Sequence, residues 1–339
     1  MARTRGRGRL GRARVALLLA VAALAAWAAS FFPLAAVGRP LAVDPQGPTA
    51  PAPWPRGSLV PRFRHVFVVV MENRPAAAVY GGSADPYLRA LARRYSVATA
   101  YYAVAHPSLP NYLALLGGST FGVRSDCSRC YVRAPNLVDR LEAAHRTWGA
   151  YMEGLPSPGY LGAAWWPGLY AGRHDPFRYF ADIRSDPRRR RRILPLSALW
   201  PGLAAGRVPD LVWITPDLCH DMHSCPTAVG DMWLRLVLPR ILRSAAWRDG
   251  GVVFVTWDEG GASAPGAPGR GGRVALLAIS PMSVPGGRMT RPANAYSLSH
   301  TISLALGAGC VALACRAPPL GPGLFTPPHG RGKGGARDG

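Results

Sequence analysis

The pattern of hydrophobic and polar positions along the chain predicts strands and helices that alternate. Short runs dominated by β-branched and aromatic residues are typical of strands buried on both faces. These runs are "RHVFVVVM" (64–71), "TWGAYM" (147–152), "DLVWIT" (210–215), "GVVFVTW" (251–257) and "RVALLAIS" (273–280). Amphipathic stretches predict helices at 85–96, 136–146 and 231–242, the first with Asp85 as its N-cap and Pro86 at its first position. This alternation favours an α/β fold with a mainly parallel central sheet flanked by helices.

Polar residues follow three of the predicted strands at their carboxyl ends. These residues are Glu72 and Asn73 after the first strand, Asp217, His220, Asp221 and His223 after "DLVWIT", and Asp258 and Glu259 after "GVVFVTW". In open α/β sheets the ligand crevice lies at this edge. Buried charges are costly unless they are paired or bound to a metal, so their convergence predicts a divalent metal ion. On its own stretch, Glu72 fits the start of an ordinary polar loop equally well.

The first forty residues have the pattern of an export signal. "MARTRGRGRLGRAR" is a basic N-terminal region, and the 24 residues 15–38 that follow are almost entirely apolar. Their number suits either a long signal peptide or an uncleaved membrane anchor, since about 20 apolar residues cross a bilayer. In both cases the rest of the chain is expected outside the cytoplasm, either secreted or anchored to the cytoplasmic membrane.

The chain after this segment divides by composition into three parts. Residues 41–62 are rich in proline and predict an extended linker. Residues 63–320 carry the alternating strands and helices and are expected to form one domain. Residues 321–339 are rich in glycine and proline and predict a flexible tail.

The net charge of +22 suggests a nucleic-acid partner at first sight, but its distribution does not support one. Lys333 is the only lysine, so arginine supplies 39 of the 40 basic residues. Apart from the N-terminus and Arg188–Arg192, the arginines are scattered rather than gathered on one predicted face. We therefore expect no dedicated nucleic-acid partner, and a non-specific attraction to anionic lipid or to phosphorylated substrates instead.

The six cysteines fall into three pairs that are close in sequence: Cys127 and Cys130, Cys219 and Cys225, and Cys310 and Cys315. In an oxidising compartment an even number of cysteines favours disulfides. A zinc site built on Cys127-x-x-Cys130 would need a second pair of ligands nearby, and the sequence offers none. Structural disulfides are the favoured interpretation.

Ser108 in "HPSLPNYLALLGG" (106–118) is a candidate nucleophile. Pro110 suits the first turn of a helix, and Gly117 and Gly118 suit its end, so Ser108 lies at or just before the helix N-terminus. The helix dipole and the free N–H groups there favour an anion such as phosphate. A serine in this position is also a common N-cap, and the spacing alone leaves both roles open.

Eight motifs in order resemble the bacterial phosphoesterase family across residues 64–315. They are "VVMENRP", "HPSLPNYLALLGGSTFG", "APNLVDRLEAA", "YMEGLPSP", "VWITPDLCHDMH", "GDMWL", "VTWDEGG" and "YSLSHTI". The family contains secreted acid phosphatases, phosphatidylinositol-3-phosphatases and, more distantly, phospholipases C. The resemblance implies an alkaline-phosphatase-like fold and a metal-dependent hydrolase of phosphoric monoesters that acts on a phosphorylated small molecule or a phosphoinositide.

The resemblance also implies roles for individual residues. The implied metal ligands are Glu72, Asn73, Ser108, Asp258 and Glu259. Ser108 would also be the nucleophile that becomes phosphorylated, and His106 and Asn111 would contact the phosphate oxygens. His223, with Asp221 beside it, would protonate the leaving oxygen or stabilise the transition state.

Several positions depart from the family pattern. Asp217 and His220 stand where asparagine is usual, Ser224 stands where aspartate is usual, and Ala295 replaces a histidine before Tyr-Ser-Leu. The missing imidazole puts full activity in doubt. Two alternatives to a monoesterase therefore stay open: a phospholipase C-type diesterase, and a catalytically silent protein that binds phosphate or lipid.

Overall fold

An eight-stranded sheet forms the centre of the computed structural model, which describes residues 60–260 and 270–326. The strands in chain order are β1 (His65–Met71), β2 (Ser96–Ala98), β3 (Tyr101–Tyr102), β4 (Trp148–Met152), β5 (Ala164–Trp165), β6 (Tyr170–Ala171), β7 (Ile193–Pro195), β8 (Leu211–Thr215), β9 (Gly251–Trp257), β10 (Leu276–Ile279), β11 (Arg288–Met289) and β12 (Ala293–Asn294). The order in the large sheet is β11-β2-β10-β9-β1-β8-β4-β7. Strands β3 and β12 form a small sheet, and β5 and β6 form another.

The pairing in the large sheet confirms the prediction of a mainly parallel sheet. Strands β7, β4, β8, β1 and β9 are parallel neighbours, as are β11 and β2. Strand β10 alone runs antiparallel to its neighbours β9 and β2 within the described sheet. The apolar run that predicts β10 contains no information on strand direction, because a strand buried on both faces has the same composition in either orientation.

Ten α-helices lie in the described part of the chain. They are α1 (Ala76–Gly81), α2 (Pro86–Arg94), α3 (Ser108–Gly117), α4 (Leu137–Ala143), α5 (Ala181–Ser185), α6 (Pro187–Arg190), α7 (Leu199–Ala204), α8 (Thr227–Leu242), α9 (Ala245–Arg248) and α10 (Ala295–Leu306). The helices predicted at 85–96, 136–146 and 231–242 are present as α2, α4 and α8, and α8 begins four residues earlier than predicted. All five predicted strands are present as β1, β4, β8, β9 and β10.

Helix α3 lies in the interior of the protein. All ten of its residues are buried, including Ser108 and Asn111, and it packs against α10. It begins after Pro107 in an extended conformation and ends at Gly118, whose φ of 68° is the left-handed conformation that glycine adopts at helix ends. The prediction that Ser108 lies at the N-terminus of a helix is therefore confirmed, and the polar face of this helix points into the protein.

The cysteines form the three local disulfides that the sequence favours: Cys127–Cys130, Cys219–Cys225 and Cys310–Cys315. The predicted export segment and most of the linker lie outside the described residues. Within the described residues, no helix is long and apolar enough to cross a bilayer. At the other end, Leu324 and Phe325 are buried, so the packed region extends beyond the predicted boundary at 320.

The N-terminus of α2 is capped by a residue from a distant helix. Asp85 occupies the N-cap position, as predicted, but its side chain makes no capping hydrogen bond. Asp231 of α8 caps the helix instead, because its carboxylate accepts hydrogen bonds from Tyr87 N (3.1 Å) and Leu88 N (2.7 Å). A helix begins with N–H groups that have no partner inside the helix, so a carboxylate from elsewhere can serve them.

We expect Asp231→Ala to lower the free energy of unfolding by about 2–4 kcal/mol, because it leaves two backbone N–H groups without an acceptor in a buried place. Urea unfolding followed by circular dichroism measures the change. Asp249→Ala, which removes an exposed aspartate from the C-cap of α9, is the matched control and should change stability by less than about 0.5 kcal/mol. Equal stability of the two variants would contradict the capping role of Asp231.

Candidate metal and phosphate centre

The strand register brings the predicted metal ligands together at one edge of the sheet. Met71 of β1 pairs with Trp257 of β9, so Glu72 and Asp258 leave the sheet side by side. The backbone N–H of Asn73 donates to Asp258 Oδ1 (3.0 Å), and Glu72 N donates to the carbonyl of Asp221 (2.8 Å). Glu72, Asp221 and Asp258 are 0%, 0% and 5% exposed. The structure therefore places the acids of three strand ends in one buried cluster.

Helix α3 presents two hydroxyl groups to the carboxylate of Glu72. Ser108 Oγ donates to Glu72 Oε2 (3.0 Å), and Tyr112 Oη donates to Glu72 Oε1 (2.6 Å). Residues four apart lie on the same face of a helix, so one face serves both carboxylate oxygens. Burial, followed by the charge of Glu72, raises the pKa of Tyr112 well above its usual value, and the phenol stays a hydrogen-bond donor.

His174, which the sequence analysis did not single out, is the imidazole of this cluster. Its Nε2 lies 3.3 Å from Glu72 Oε1, and its Nδ1 lies 3.3 Å from Asp221 Oδ2. The ring stacks on Tyr112 with centroids 5.6 Å apart. It belongs to the short 3₁₀ turn Gly172–His174, which follows β6. No motif and no apolar run mark this turn, so only the fold brings His174 to the acids.

The charges of the cluster are poorly compensated by the protein itself. Burial, and then the neighbouring carboxylates Asp258 and Asp221, raise the pKa of Glu72 well above its usual value. Burial and the charge of Glu259 raise the pKa of Asp258 to about 7, and burial also raises that of Asp221. Burial lowers the pKa of His174 well below its usual value, which keeps the imidazole neutral and able to offer a lone pair.

Several buried atoms of the cluster have no hydrogen-bond partner among the described residues. They are Asn73 Oδ1, His174 Nε2, Asp221 Oδ2 and Asp258 Oδ2. Buried polar atoms are nearly always paired, so an unpaired group of oxygen and nitrogen donors around clustered carboxylates fits a cation. Glu72, His174 and Asp221 also offer ligand atoms that lie within 4.8 Å of one another. Oxygen donors suit Mg²⁺, Ca²⁺ or Mn²⁺, and the imidazole admits Zn²⁺ or Fe.

A second group of similar composition, formed by Glu153, Asp217 and His220, has a different character. His220 Nδ1 lies 3.0 Å from Glu153 Oε2 and 3.2 Å from Asp217 Oδ2. Hydrogen bonds to Asp217 and Glu153 raise the pKa of His220 to about 10, so the imidazole is the cation of this group. Glu153 also accepts from Trp233 Nε1 (3.1 Å) and from Asp217 N (3.1 Å). The group satisfies itself as an ion triad and does not require a metal.

His106 and Glu259 form a pair beside the cluster. His106 Nδ1 lies 2.5 Å from Glu259 Oε2, and burial, with Asp126 nearby, raises the pKa of Glu259 to about 7. Glu259 is therefore paired with an imidazole, whereas Asp258 accepts the backbone N–H of Asn73 at Oδ1 and, within the described residues, has an unpaired Oδ2. Asp126 follows α3 in the chain but contacts the N-terminus of that helix, where its Oδ1 accepts a hydrogen bond from Leu109 N (2.9 Å). The sequence analysis expects the N–H groups at this helix N-terminus to favour phosphate, but the N–H of Leu109 is already bound to the carboxylate of Asp126.

His223 lies beside the cluster next to an arginine. Its Nε2 is 3.1 Å from an Arg173 guanidinium nitrogen, and its Nδ1 is 2.9 Å from Ser224 Oγ. Burial, and then the charge of Arg173, lower the pKa of His223. His223 N also donates to Asp221 Oδ1 (2.7 Å), which orders this loop around the buried acid. No sequence motif indicates that Arg173 lies beside His223.

Asn111 and Ala295 lie at the border of the acid cluster. The Asn111 amide accepts from Val104 N and Ala105 N, and it donates to the carbonyls of Ala105 and Pro107. It thereby orders the loop before α3, and its predicted contact with phosphate stays a prediction. Ala295, at the start of α10, lines a small cavity with Asn111 and Asp258. This is the place that the family histidine would occupy.

Comparison with known sequences identifies a family and several relatives of this chain. The sequence model of the phosphoesterase family matches residues 76–307. A phosphatidylinositol-3-phosphatase of Mycobacterium tuberculosis is 34% identical over 203 residues, which cover 60% of this chain and 65% of the relative. A phosphate-repressible acid phosphatase of Penicillium chrysogenum is 29% identical over 220 residues, which cover 63% of this chain and 51% of the relative. The relatives include fungal proteins, so the resemblance is not restricted to bacteria.

Solved structures share the fold at low sequence identity. A protein of the alkaline phosphatase superfamily from Vibrio parahaemolyticus has a TM-score of 0.53 and 13% identity, and the match covers 82% of this chain and 74% of the other. The lipoteichoic acid synthase of Listeria monocytogenes has a TM-score of 0.53 and 12% identity, with 78% of both chains covered. At such identities the likeness extends to the fold alone. The expectation of an alkaline-phosphatase-like fold is confirmed.

The two His/carboxylate groups allow a direct test of where a metal binds. We expect Glu72→Gln to weaken the binding of Mn²⁺ or Zn²⁺ to chelator-stripped protein by roughly tenfold or more, because it removes an anionic ligand. The matched control is Glu153→Gln, which makes the same change in the ion triad and should leave the affinity within about twofold of wild type. Isothermal titration and elemental analysis measure both. If Glu153→Gln loses metal binding and Glu72→Gln retains it, the metal binds at the ion triad instead.

The affinity for metal should fall as the pH is lowered through 7. Without metal, burial and the charge of Glu259 raise the pKa of the Asp258 carboxyl to about 7, so below that pH a cation must displace its proton. His174 adds nothing to this dependence, because its lowered pKa keeps it neutral there. We expect roughly tenfold weaker binding per pH unit for each proton released. Titration calorimetry in buffers of different ionisation enthalpy measures the release, and constant affinity from pH 6 to 8 would contradict it.

Proposed function

Because the chain belongs to the phosphoesterase family, we propose that it hydrolyses phosphoric monoesters through a phosphoserine intermediate at Ser108. The observation that carries this proposal is the hydrogen bond from Ser108 Oγ to the buried carboxylate of Glu72 (3.0 Å). A serine that only caps a helix occupies the N-cap and accepts a backbone N–H, whereas Ser108 follows the N-cap Pro107 as the first helical residue and donates its proton into the acid cluster. A hydroxyl held in this way has its lone pairs free for attack.

In the first step Ser108 Oγ attacks phosphorus while its proton passes to Glu72. The new bond joins Oγ to phosphorus, and the bond between phosphorus and the leaving oxygen breaks. Water then attacks the phosphoserine: a bond forms between the water oxygen and phosphorus, and the bond between phosphorus and Oγ breaks. Glu72 returns its proton to Oγ, the water proton passes to His223, and inorganic phosphate leaves.

The departing alkoxide needs a proton, and we assign this to His223 as the sequence predicts. In the structure His223 Nε2 faces Arg173, so it must gain a proton before it can donate one. Its pKa is lowered by burial and by Arg173, which confines the protonated form to acidic pH. This agrees with the acid phosphatases among the relatives. Arg173 is half-buried beside His223 and lies 3.6 Å from Asp126 Oδ2, and we assign its guanidinium to the attraction of the phosphate dianion.

The donors that would hold a divalent cation are Glu72, Asn73, His174, Asp221 and Asp258, with Ser108 beside them. When bound, such an ion supplies positive charge that lowers the pKa of the serine and stabilises the oxygens of the phosphoryl group. Glu259 is the exception among the predicted ligands, because its carboxylate is paired with His106. We assign this pair to the phosphate side of the site.

We propose that the chain works outside the cytoplasm. Three local disulfides within the described residues support this, since disulfides persist in oxidising compartments. The Cys219–Cys225 bridge closes the loop that carries Asp221 and His223, so oxidation would keep both groups in place. The predicted export signal agrees with this location.

Ser108→Ala should reduce turnover of a chromogenic phosphomonoester by at least about a thousandfold, because it removes the nucleophile and only one hydroxyl. Ser299→Ala is the matched control. Ser299 is also a buried helical serine, and its hydroxyl has no hydrogen-bond partner among the described residues. This control should keep wild-type activity. Acid quenching followed by intact-mass analysis should detect one phosphoryl group on wild-type protein and none on Ser108→Ala.

Two outcomes would count against the proposal. If Ser108→Ala retains a tenth of the activity, the covalent mechanism is wrong. If wild-type protein with bound metal cleaves a matching diester faster than the monoester, the reaction is that of a diesterase. Phosphate binding without turnover of either ester would support the silent protein that Ala295 suggests.

A further inference from the structure

The segment between β4 and His174 ends in an exposed apolar tip. Residues 163–167, with the sequence Ala-Ala-Trp-Trp-Pro, are all exposed, and Trp165 and Trp166 are 42% and 71% exposed. Folded proteins rarely leave adjacent tryptophans in water, and a contiguous exposed apolar patch marks a surface that binds something. No motif or proposed catalytic step uses these residues.

The tip lies on the side of the sheet where the acids converge. Strand β4 is parallel to β8, and Met152 pairs with Thr215, so the segment leaves the sheet at the same edge as the catalytic loop. Its return strand β6 leads directly into the turn that holds His174. Leu218 N donates to the carbonyl of Leu169 (3.1 Å), which connects the end of the tip with the loop of Asp221. The tip therefore borders the proposed entrance for substrate.

Close backbone contacts hold the tip in a fixed orientation. Gly154 and Gly168 cross at its root, where a Cβ on Gly154 would lie 1.7 Å from the carbonyl oxygen of Gly168. Tyr160 contacts both Trp165 and Tyr170 edge to face, with ring centroids 6.3 Å and 5.9 Å apart. These contacts hold the exposed rings in a fixed orientation, so binding to a partner costs little conformational entropy.

A run of five arginines lies beside the root of the tip. Arg188–Arg192 spans α6 and the following turn, and Gly159 N donates to the carbonyl of Ile193 (2.8 Å) just after it. The backbone and side chain of Arg190 contact Gly159. Arg188, Arg191 and Arg192 are exposed, whereas Arg189 is paired with Asp139, Glu142 and Asp182. Arg192 also donates to the carbonyl of Trp148 (3.3 Å), so Arg188 and Arg191 are the exposed cations that flank the segment with the tryptophans.

An apolar aromatic tip beside exposed arginines is the combination that binds anionic membranes. Tryptophan prefers the interface between lipid headgroups and acyl chains, and arginines near an anionic surface add electrostatic attraction. The exposed rings are too few to form the area of a stable dimer interface by themselves. The excess of positive charge on the chain also opposes contact between two copies.

We propose that the tip of residues 163–167 and the arginine run Arg188–Arg192 dock the protein on an anionic lipid surface, so that a phosphomonoester carried by a lipid reaches Ser108. This names a lipid-borne substrate class and rests on the proposed monoesterase function. The predicted N-terminal segment is a separate means of membrane association. Docking through the tip does not depend on whether that segment is cleaved.

Vesicle binding and catalysis test the tip independently. The double variant Trp165→Ser/Trp166→Ser should lose at least about tenfold in affinity for vesicles of phosphatidylcholine and phosphatidylserine, measured by co-sedimentation. Its kcat/KM on a soluble chromogenic monoester should stay within twofold of wild type, while hydrolysis of a phosphatidylinositol monophosphate in the vesicles falls in parallel with binding. The matched control Met232→Ser/Leu236→Ser, which changes an equally exposed apolar pair on α8, should behave as wild type in all three assays.

The charge component has its own variant. Arg188→Ser/Arg191→Ser should weaken binding to the anionic vesicles, and wild-type binding should decrease with added salt and with pure phosphatidylcholine. Equal vesicle binding by wild type and the tryptophan variant would overturn the proposal. A wild-type dimer that the tryptophan variant converts to a monomer, with no vesicle binding, would also overturn it and identify a second copy as the partner. If the monoester is not hydrolysed but the vesicles are bound through the tip, the proposed function fails and the docking surface stands.

Discussion

The burial of several carboxylates at one edge of the sheet is the constraint on which the rest of the structure depends. Glu72, Asp221 and Asp258 are nearly inaccessible to water, and burial, together with the neighbouring carboxylates, raises the pKa of each. Such a cluster is unfavourable for the fold by itself. The hydroxyls of Ser108 and Tyr112 and the neutral imidazole of His174 reduce this unfavourable free energy only in part. The unpaired donor atoms are therefore the part of the structure that a cation would complete.

The apolar runs were sufficient to predict five of the eight strands of the large sheet and the position of most acids. A short β-branched run followed by an acid places that acid at the carboxyl end of a strand, and parallel register then brings Glu72 and Asp258 together. This reasoning needs only local sequence and the rule for parallel sheets. It predicts the location of the site without defining which atoms remain unpaired, because that depends on hydrogen bonds between distant segments.

The residues that sequence reasoning missed act across long separations in the chain. His174 is 102 positions from Glu72, and Asp231 caps a helix that begins 145 positions earlier. Neither residue stands in a periodic pattern that indicates its partner, and short 3₁₀ turns have no distinctive composition. The direction of β10 was unpredictable for a similar reason, since its composition fits either orientation. Local rules therefore recovered the elements, and tertiary contacts decided the chemistry.

His220 and Asp217, which depart from the family pattern, fit a structural role better than a second metal. His220 is held as a cation between Glu153 and Asp217, and its ring stacks on Trp233. Its folded pKa of about 10 lies above the unfolded value near 6.5, so its contribution to stability is complete below pH 6.5 and is lost as the pH rises through about 10. The imidazolium of the triad is therefore retained at acidic and neutral pH.

The triad joins the end of β4 to the loop of Asp221 and His223. Glu153 begins the same segment that carries the exposed tryptophans, Arg173 and His174. A single stretch of chain therefore connects the proposed docking surface, the triad and the buried imidazole.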